Sequence, residues 1–518
     1  MKTLRSHVQG TFHEAKEGFV NLVDPCSEEV IGRASSAGID FGATVAFARE
    51  QGRAALAELT LAQRGALLKA MSKAMHAHRD ELLDLSITNT GTTRKDAKFD
   101  VDGGTFTLSH YAAMGEALGE GRALVDGDGI QLGRTPRFWG QHLLVPRDGV
   151  AVHINAFNFP VWGWAEKAAC ALLAGMPVIT KPATSTAMVA ERCMEILEEA
   201  KVLPAGVLSM ICGSTGDLLD HLGPQDVLAF TGSADTALKL RGRPNLLRNS
   251  TRVNIEADSL NAAIVGPDVS EGETWGAFLR DVIREITQKT GQKCTAVRRI
   301  LVPESLMDAV QEALVAGLTE TVTGNPRDGS VTMGPLATRQ QLDDAVAGVA
   351  RLREDADPVL GTGERADGVG NPEGKGFFLA PTLLRLRDGA SGEAVHRHEV
   401  FGPVSTLIPY DGTAAEAARL VARGEGSLVT SIYSDDETFL GEYLAHGGHT
   451  SGRLYLGSEK VAPQLPGSGV AMPQVLHGGP GRAGGGAELG GERGLALYLQ
   501  DVAVTGDRGI VERLAGLR

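Results

Sequence analysis

The stretch that decides the fold is VAVHINAFNFPVWGWAEKAACALLAGMPVITKPATSTAMVAERCMEILEEA, residues 150–200. Short, largely apolar runs at residues 150–157 and 176–180 predict two buried strands. Residues 187–200 place apolar side chains at helical spacing and predict a helix. Strands and helices that follow one another in this way indicate an α/β unit with a parallel sheet.

A second series of the same kind begins after Val253. Strands are predicted at residues 262–265, 299–302 and 405–409, with helices between them. Ahead of both series, residues 63–87 carry apolar side chains close to helical spacing, which predicts a helical first third. A chain of 518 residues has room for two or three domains.

Three segments do not have the pattern of a core. Residues 129–146 and 495–505 alternate loosely between apolar and polar side chains, as half-exposed strands do. The segment GGPGRAGGGAELGG at residues 478–491 is rich in glycine. Such a segment is either a flexible linker or a loop whose backbone runs close to a ligand.

The composition excludes several classes of protein. Fifty basic residues against 64 acidic ones give a net charge of −14, which disfavours a nucleic-acid partner. The longest uncharged apolar run, near residues 168–180, is shorter than the ~20 residues of a membrane helix, and the N-terminus has no signal-peptide pattern. The five cysteines form no CxxC pair, so we expect free thiols, no metal site and a cytoplasmic location.

Cys294, in QKTGQKCTAVRRI, is the first candidate for chemistry. A thiol attacks as the thiolate and therefore needs a polar or cationic setting. Lys289, Lys293, Arg298 and Arg299 are near it in the sequence and could supply that setting. On this segment alone, a small buried hydrophobic cysteine is the more common alternative.

Glu256 and Asn158 are candidates for proton transfer and for stabilising an oxyanion. Glu256, in TRVNIEADSLNAAIVG, follows an apolar stretch, and a carboxylate in that setting could be a general base. Asn158 stands where Pro160 ends a strand, and its amide could donate to an oxyanion. A solvated loop acid and a turn-forming asparagine are the structural alternatives.

Two strand ends are candidates for cofactor binding. One strand is predicted to end at Lys181, before a helix with a Thr/Ser cap, and another at Phe230, with Ser233 at the start of the next helix. Ligands of α/β sheets bind at the carboxyl ends of strands, and helix N-termini attract phosphate. No GxGxxG motif follows a strand, so an ordinary dinucleotide loop is not indicated.

The joint order of these motifs resembles the aldehyde dehydrogenase superfamily over nearly the whole chain. The motifs that carry the resemblance are Asn158, Lys181, FTGS at residues 230–233, Glu256, Cys294 and HEVFGPV at residues 398–404. The resemblance implies an α/β fold with a Rossmann-like cofactor domain, an α/β catalytic domain and a small β oligomerisation arm. It also implies that Cys294 is the nucleophile, that Glu256 is the general base, and that Asn158 donates to the oxyanion with the Cys294 backbone N–H.

The same resemblance implies a nicotinamide cofactor. Lys181 and Ser233 would hold its ribose and phosphates, while Glu399 and Phe401 would position the nicotinamide side. Many NAD-using relatives have a glutamate three residues after the strand-end lysine, where this chain has Thr184. Because a glutamate would repel the 2′-phosphate of NADP, we expect a preference for NADP, with NAD as the alternative.

The domains follow from the resemblance. The cofactor-binding domain is predicted at residues 1–128 and 147–255, and the catalytic domain at 256–477. The arm is predicted at residues 129–146 and 495–518. Arms of this type imply a homodimer or a dimer of dimers.

Two departures from the common family pattern indicate a narrower branch. Many members carry ELGGK at the base, whereas this chain reads EADSLN from Glu256, and HGGPGRAGGG occupies residues 477–486. Both features resemble the branch that oxidises CoA-linked semialdehydes in the degradation of aromatic compounds. The expected substrate is therefore a CoA-linked semialdehyde, oxidised through a Cys294 thioester that is hydrolysed to the acid.

Other functions are kept as alternatives. The substrate could be a different aldehyde, either CoA-linked or free and aliphatic. An acylating enzyme would pass the acyl group to free CoA, but it would not need the base Glu256. A non-catalytic scaffold would not need Cys294, Glu256 and Asn158 together.

Overall fold

The computed structural model describes residues 1–388 and 392–516. Its strands are β1 Lys2–Thr3, β2 Ser6–Val8, β3 Thr11–His13, β4 Val20–Val23, β5 Val30–Ala34, β6 Leu124–Gln131, β7 Phe138–Pro146, β8 Ala151–Ile154, β9 Val178–Lys181, β10 Leu208–Met210, β11 Val227–Thr231, β12 Arg252–Glu256, β13 Ala262–Val265, β14 Arg299–Pro303, β15 Ala356–Leu360, β16 Thr382–Leu386, β17 Val404–Tyr410, β18 Ser427–Tyr433, β19 Ser451–Gly457, β20 Leu476–Gly478, β21 Ala487–Leu489 and β22 Leu499–Asp507. Its α-helices are α1 Phe41–Phe47, α2 Arg53–Ala57, α3 Leu61–Ala77, α4 Arg79–Thr90, α5 Arg94–Leu118, α6 Trp162–Ala174, α7 Ala187–Glu199, α8 Ala234–Arg241, α9 Pro244–Asn249, α10 Gly272–Thr287, α11 Met307–Thr319, α12 Arg339–Leu352, α13 Ala394–Arg397, α14 Ala414–Ala422, α15 Glu437–Gly447 and α16 Arg508–Ala515. Within the described residues, no helix combines the length and the apolar character needed to span a bilayer.

The first large sheet contains seven strands in the order β12-β11-β8-β9-β10-β2-β3. The five strands from β12 to β10 are parallel, and β2 and β3 add an antiparallel edge. Val152 of β8 lies opposite both Leu228 of β11 and Ile179 of β9. From β8 the chain continues outward through β9 and β10 and then returns to the other side of β8 as β11. β8 and β11 therefore flank a topological switch point, where open α/β sheets bind their ligands.

The strands and helix predicted within residues 150–200 are confirmed. β8 ends at Ile154, before the predicted end at residue 157, because the chain turns away ahead of Pro160. Between the two strands lies α6, an alanine-rich helix that is buried along almost its whole length. Its N-terminal amides at Val161 and Trp162 donate to the carboxylate of Asp100, at 3.2 and 2.8 Å.

The second large sheet has the order β15-β16-β17-β14-β13-β18-β19. All its neighbours are parallel except β15, which pairs antiparallel with β16. The predicted strands at residues 262–265, 299–302 and 405–409 are confirmed as β13, β14 and β17. Ile264 of β13 lies opposite Leu301 of β14 at the centre of this sheet.

The helical prediction for residues 63–87 is right in type but wrong in continuity. Thr60 and Gln63 form a capping box that starts α3. His78, with φ −106° and ψ 20°, leaves the helical conformation and separates α3 from α4. The apolar spacing alone does not reveal this break, because both helices bury a face against neighbouring helices.

A three-stranded antiparallel sheet, β22-β7-β6, is separate from the two large sheets. β22 pairs with β7 over its full length, from Leu499 opposite Pro146 to Asp507 opposite Phe138. The strand predicted at residues 495–505 begins late, because residues up to Tyr498 belong to the 3-10 helix Gly491–Tyr498. β6 begins at Leu124, ahead of the boundary predicted at residue 129. The division into domains stays a prediction.

Candidate active site

A cleft of about 750 Å³ opens at the switch point of the first sheet and faces the second sheet. Residues that follow β8 and β11 line one wall, and residues that precede β13 and β14 line another. Cys294, Glu256 and Asn158, which are far apart in the sequence, all line it. The structure therefore brings together the three predicted catalytic side chains.

The loop that carries Cys294 is fixed through its backbone. The side-chain amide of Asn261 donates to the carbonyl of Cys294 at 2.7 Å and to that of Ala296 at 2.9 Å. Arg298 donates to the carbonyl of Lys293 at 3.2 Å. These bonds, made by residues at the starts of β13 and β14, hold the nucleophile candidate at the edge of the second sheet.

A left-handed turn precedes this loop. Lys289, Thr290 and Gly291 have φ values of 53°, 58° and 66°, a conformation that non-glycine residues rarely adopt. The Thr290 hydroxyl donates to the carbonyl of Gly334 at 2.9 Å. Burial lowers the pKa of Lys289, although Asp100 and Asp96 oppose that shift through their negative charge. The Thr290 hydrogen bond and the negative charges of Asp96 and Asp100 thus stabilise a conformation that costs about 1–3 kcal/mol per residue.

Glu256 is the last residue of β12 and lies beside a histidine that the sequence did not single out. Its Oε2 is 3.1 Å from His477 Nε2, and the same nitrogen is 3.9 Å from Cys294 Sγ. Burial by itself would raise the pKa of Glu256, but His477 and Lys167 lower it to about 2. Burial would lower the pKa of His477, but the Glu256 carboxylate outweighs it and raises the pKa. The pair is therefore an ion pair in the interior.

The thiol of Cys294 is hard to ionise in this arrangement. Burial raises its pKa first, and the negative charge and hydrogen bond of Glu256 raise it further. The four other cysteines, Cys26, Cys170, Cys193 and Cys212, are all buried, whereas Cys294 is half-buried. Cys294 is thus the accessible thiol among the described cysteines.

Asn158 is buried next to Cys294 and donates one amide hydrogen to the carbonyl of Gln292 at 3.0 Å. Its second amide hydrogen has no protein acceptor within the described residues, and neither does the backbone N–H of Cys294. Two free donors beside a thiol are the arrangement that an oxyanion requires. The geometry is compatible with the role predicted for Asn158.

A buried group of charges lies behind Glu256. Lys167 of α6 is 3.1 Å from Glu488 and 3.4 Å from Glu166. Burial raises the pKa of Glu166 to about 7, against the opposing charge of Lys167. Glu166 and Lys167 also line a second pocket beside Cys294. The pocket therefore has ionisable groups that the sequence motifs did not indicate.

This second pocket is otherwise mainly apolar. Its walls include the aromatic side chains of Phe99, Phe159 and Trp162, which contact one another edge to face. Ala471 and Gly469 contribute small residues. Such walls suit an aliphatic acyl chain and leave the reacting carbonyl to the few polar groups at Cys294.

The residues that follow β11 form the wall of the cleft where a cofactor is predicted to bind. Ser233 caps α8, accepting from the N–H of Thr236 at 3.4 Å, so the predicted helix start is confirmed, although β11 ends at Thr231 rather than Phe230. Thr231 Oγ1 and Asn155 Oδ1 are buried at the cleft without a hydrogen-bond partner in the described chain. Because buried polar atoms need partners, the residues present fit a polar nucleotide. The N–H of Ala234 is already taken by Asp258, at 2.9 Å.

Glu399 and Phe401 line the opposite end of the same cleft. Glu399 accepts from the backbone N–H of Ser259 at 2.9 Å and pairs with Arg298 at 3.3 Å. Burial raises the pKa of Glu399 to about 7, and Arg298 opposes the shift. Arg298 also lies over the ring of Phe401, with 5.3 Å between its guanidinium carbon and the ring centroid. One arginine thus orients both predicted residues.

Lys181 and Thr184 lie just outside the cleft. Lys181 ends β9 as predicted, but among the described residues it is Ala183, and neither Lys181 nor Thr184, that lines the cleft. The expected Thr/Ser cap of the next helix is wrong, because no hydroxyl caps α7. Instead, Thr184 donates to the carbonyl of Gly213 at 3.2 Å, and Thr186 donates to that of Phe157 at 2.9 Å.

His477 is the principal residue that the motifs missed. It stands first in HGGPGRAGGG, so its only sequence signal was its place beside unusual glycines. Cys294, Glu256 and His477 are also the one cluster of the described chain whose types and spacing, within 4.8 Å, would suit a metal ion. Their mutual hydrogen bonds are the arrangement of a proton-transfer site, and the expectation of no metal stays a prediction.

Comparison with known proteins decides the family. The sequence model of the aldehyde dehydrogenase family matches residues 12–501. The chain belongs to this family. It is an NAD(P)-dependent aldehyde dehydrogenase, and the predicted fold is confirmed.

Individual relatives of this aldehyde dehydrogenase agree with that assignment. A 3,4-dehydroadipyl-CoA semialdehyde dehydrogenase of Aromatoleum evansii is 45% identical over 478 residues, 92% of this chain and 93% of that protein. The solved NAD-dependent aldehyde dehydrogenase of Sinorhizobium meliloti has a TM-score of 0.84 at 24% identity, over 98% of this chain and 96% of that one. A betaine aldehyde dehydrogenase variant of Staphylococcus aureus, in complex with NAD+, has a TM-score of 0.83 at 23% identity, over 98% of both chains.

Proposed function

We propose that this aldehyde dehydrogenase oxidises 3,4-dehydroadipyl-CoA semialdehyde, or a close CoA-linked semialdehyde, to the carboxylic acid, with NADP as the preferred cofactor. The observation that carries the substrate assignment is the 45% identity, over 92% of the chain, to the protein of that name. The convergence of Cys294, Glu256 and Asn158 on one cleft supports the chemistry.

We assign the first chemical step to Cys294. Its sulfur forms a bond to the aldehyde carbon while the thiol proton leaves to a base, and the carbonyl oxygen becomes an oxyanion. The free amide hydrogen of Asn158 and the Cys294 N–H are the donors placed to stabilise that charge. A nicotinamide cofactor, when bound by Thr231, Ser233, Glu399 and Phe401, supplies the acceptor for the hydride that leaves the same carbon.

The second step releases the acid. Glu256 takes a proton from water, the resulting hydroxide attacks the Cys294 thioester, and the carbon–sulfur bond breaks to regenerate the thiolate. The contact with His477 lowers the pKa of Glu256 and so weakens it as a base, and Glu256 must leave the imidazole before it acts. Its presence favours hydrolysis over transfer to free CoA, which needs no such base.

The CoA part of the substrate belongs outside the pocket. The walls around Cys294 are formed by Phe99, Phe159 and Trp162, and charged phosphates would lose their hydration there at a high cost in free energy. An acyl chain with an aldehyde end can enter while the nucleotide stays at the surface. The binding free energy from that surface contact would be absent for a free aldehyde.

The substrate assignment has a direct kinetic test. We expect the CoA-linked semialdehyde to have a kcat/KM at least about ten-fold higher than a free aliphatic aldehyde of similar acyl length, which corresponds to ~1.4 kcal/mol. Steady-state rates with NADP and with NAD, and with free CoA added or omitted, would measure this. Equal or better efficiency with the free aldehyde would contradict the CoA assignment, and a requirement for free CoA would indicate acyl transfer instead.

The cofactor preference is proposed from Thr184. A glutamate there would face the 2′-phosphate of NADP, with a repulsion at 4 Å of about 1 kcal/mol per unit charge in water and about 4 at an effective dielectric of 20. Thr184 is neutral, and no carboxylate pairs with the nearby Lys181 within the described chain. The hydroxyl already donates to Gly213, so its contribution is the absence of charge rather than a new hydrogen bond.

Thr184→Glu should therefore move the preference from NADP towards NAD. We expect the ratio of kcat/KM for NADP to that for NAD to fall by about ten-fold or more, the equivalent of ~1.4 kcal/mol. Thr184→Gln, with nearly the same size and no charge, is the matched control and should leave the ratio near that of the unmodified enzyme. A native preference for NAD, or equal shifts in both variants, would show that charge at this position does not select the cofactor.

We also propose that residues 129–146 and 495–518 form an oligomerisation arm, next to a cofactor-binding domain of residues 1–128 and 147–255 and a catalytic domain of residues 256–477. Ile130 of β6 and Phe138 of β7 are exposed, and so is Leu132, which directly follows β6. Exposed apolar side chains at one end of this sheet favour contact with a second copy of the chain, and sedimentation would give the number of copies.

A further inference from the structure

We propose that His477 is a positioning residue, which holds Glu256 against Cys294 before substrate binds and offsets the charge of Glu256 there, so that the thiol can ionise beside a base. The inference rests on the proposed roles of Cys294 and Glu256. It concerns a residue outside both the nucleophile and the base.

The geometry places one imidazole nitrogen between the two reacting groups. His477 Nε2 is 3.1 Å from Glu256 Oε2 and 3.9 Å from Cys294 Sγ. The single hydrogen on this nitrogen can be donated to only one partner at a time. With the thiol protonated, the carboxylate is the stronger acceptor; after ionisation, the sulfur becomes a second anionic acceptor within reach.

The backbone holds His477 in this place. It is the central residue of β20 and pairs directly with Glu488 of β21. The glycines around it permit close backbone contacts, because a Cβ on Gly486 would lie 2.4 Å from the carbonyl oxygen of Ile255, the residue before Glu256. The hairpin is thus packed on the end of β12, which keeps the backbone of His477 close to Glu256.

The contact between His477 and Glu256 affects the ionisation of Cys294 through electrostatics. A thiolate and a carboxylate in contact repel each other, so an uncompensated Glu256 would suppress the reactive form of Cys294. A protonated imidazole in contact with Glu256 offsets part of that repulsion. The other charged groups that act on Cys294, Glu256 or His477 are Glu166, Lys167, Arg298, Glu399 and Arg453. Within the part of the chain that the structure describes, Cys294 Sγ has its hydrogen-bond contact with His477 and not with Lys167, Arg298 or Arg453.

The test measures the ionisation of Cys294 rather than turnover. The full-length enzyme is treated with iodoacetamide over a range of pH, and peptide mass spectrometry follows alkylation of Cys294 alone. His477→Gln keeps an amide donor but loses the positive charge. We expect the midpoint of the alkylation profile to rise by about one pH unit, which is a roughly ten-fold slower reaction at neutral pH.

The Glu256→Gln background makes the result specific. With Glu256 neutral, the contact that contributes most to keeping the proton on His477 is lost, and only the charge of Glu166 remains. Adding His477→Gln to Glu256→Gln should therefore move the midpoint much less than His477→Gln alone does. The same shift in both backgrounds, or no shift in the single variant, would overturn the proposal. If His477→Gln does not fold, as judged by circular dichroism, His477→Asn is measured in the same two backgrounds.

Failure of the proposed function would look different. If Cys294 were not the nucleophile, its removal would leave turnover intact, whereas the alkylation profile would still report whether His477 controls the thiol. In the unmodified enzyme and in His477→Gln, the first turnover is also measured by rapid mixing at several pH values. If His477 has a purely structural role, its loss should lower the first turnover at every pH. If His477 compensates the charge of Glu256, its loss should move the pH profile of the first turnover to higher pH.

Discussion

Cys294→Ala should abolish aldehyde oxidation while the protein still folds and binds its cofactor. The substitution removes a half-buried sulfur and leaves the backbone bonds from Asn261 unchanged. Without the sulfur no covalent intermediate forms, and loss of a nucleophile lowers kcat by about 10⁴-fold or more. Steady-state reduction of NADP, thermal unfolding and cofactor binding by fluorescence would be measured on the same preparation.

Cys193→Ala is the matched control for that experiment. Cys193 lies in α7 and is fully buried, so its loss costs packing but touches no part of the cleft. It should lower the melting temperature slightly and leave kcat near that of the unmodified enzyme. Near-native turnover in Cys294→Ala, with the alkylation target gone, would exclude Cys294 as the nucleophile.

Glu256→Gln should separate the two halves of the reaction. Removing the carboxylate removes one cause of the raised pKa of Cys294, so the thiol ionises more easily and the first turnover is retained. Deacylation loses its base, and loss of general-base catalysis lowers steady-state turnover by about 10²–10⁴-fold. Rapid mixing should therefore show a burst of one equivalent of reduced cofactor followed by a slow phase.

Mass spectrometry would identify the species that accumulates. The acyl group of the substrate should be found on Cys294 as a thioester in Glu256→Gln and not in Glu312→Gln, which alters an exposed glutamate on α11. A variant that turns over at the native rate, or one that shows no burst and no adduct, would remove Glu256 from the deacylation step.

The sequence predicted the central strands well because their apolar runs have few alternatives. Residues 262–265 match β13 at both ends, and β17 differs from the predicted 405–409 by one residue at each end. The spacing of apolar residues alone predicted helix boundaries less well, because it does not reveal a local break in a helix. The run at residues 63–87 reads as one helix, but the chain turns at His78.

The order of the sequence motifs predicted which residues form the core of the site. Cys294, Glu256 and Asn158 converge because each stands at a strand end or in a loop at the same edge, which the order of motifs implies. The role of His477 was not predictable. The glycines beside it indicate that this segment packs closely against another part of the chain, but they do not indicate that the other part is β12. The acceptor of the Thr184 hydroxyl was not predictable either, because Gly213 lies beyond the next strand.

The left-handed turn before Cys294 connects the two halves of the molecule. Lys289 is buried beside Asp96 and Asp100 of α5, a helix that packs on α6 and through it on the first sheet, whereas Cys294 leads into β14 of the second sheet. Any sliding of one sheet past the other must either change the distance between Lys289 and these two carboxylates or carry the turn with it. The position of the Cys294 sulfur therefore depends on how the two sheets pack against each other. A nucleotide bound between the sheets would influence that position without contacting Cys294.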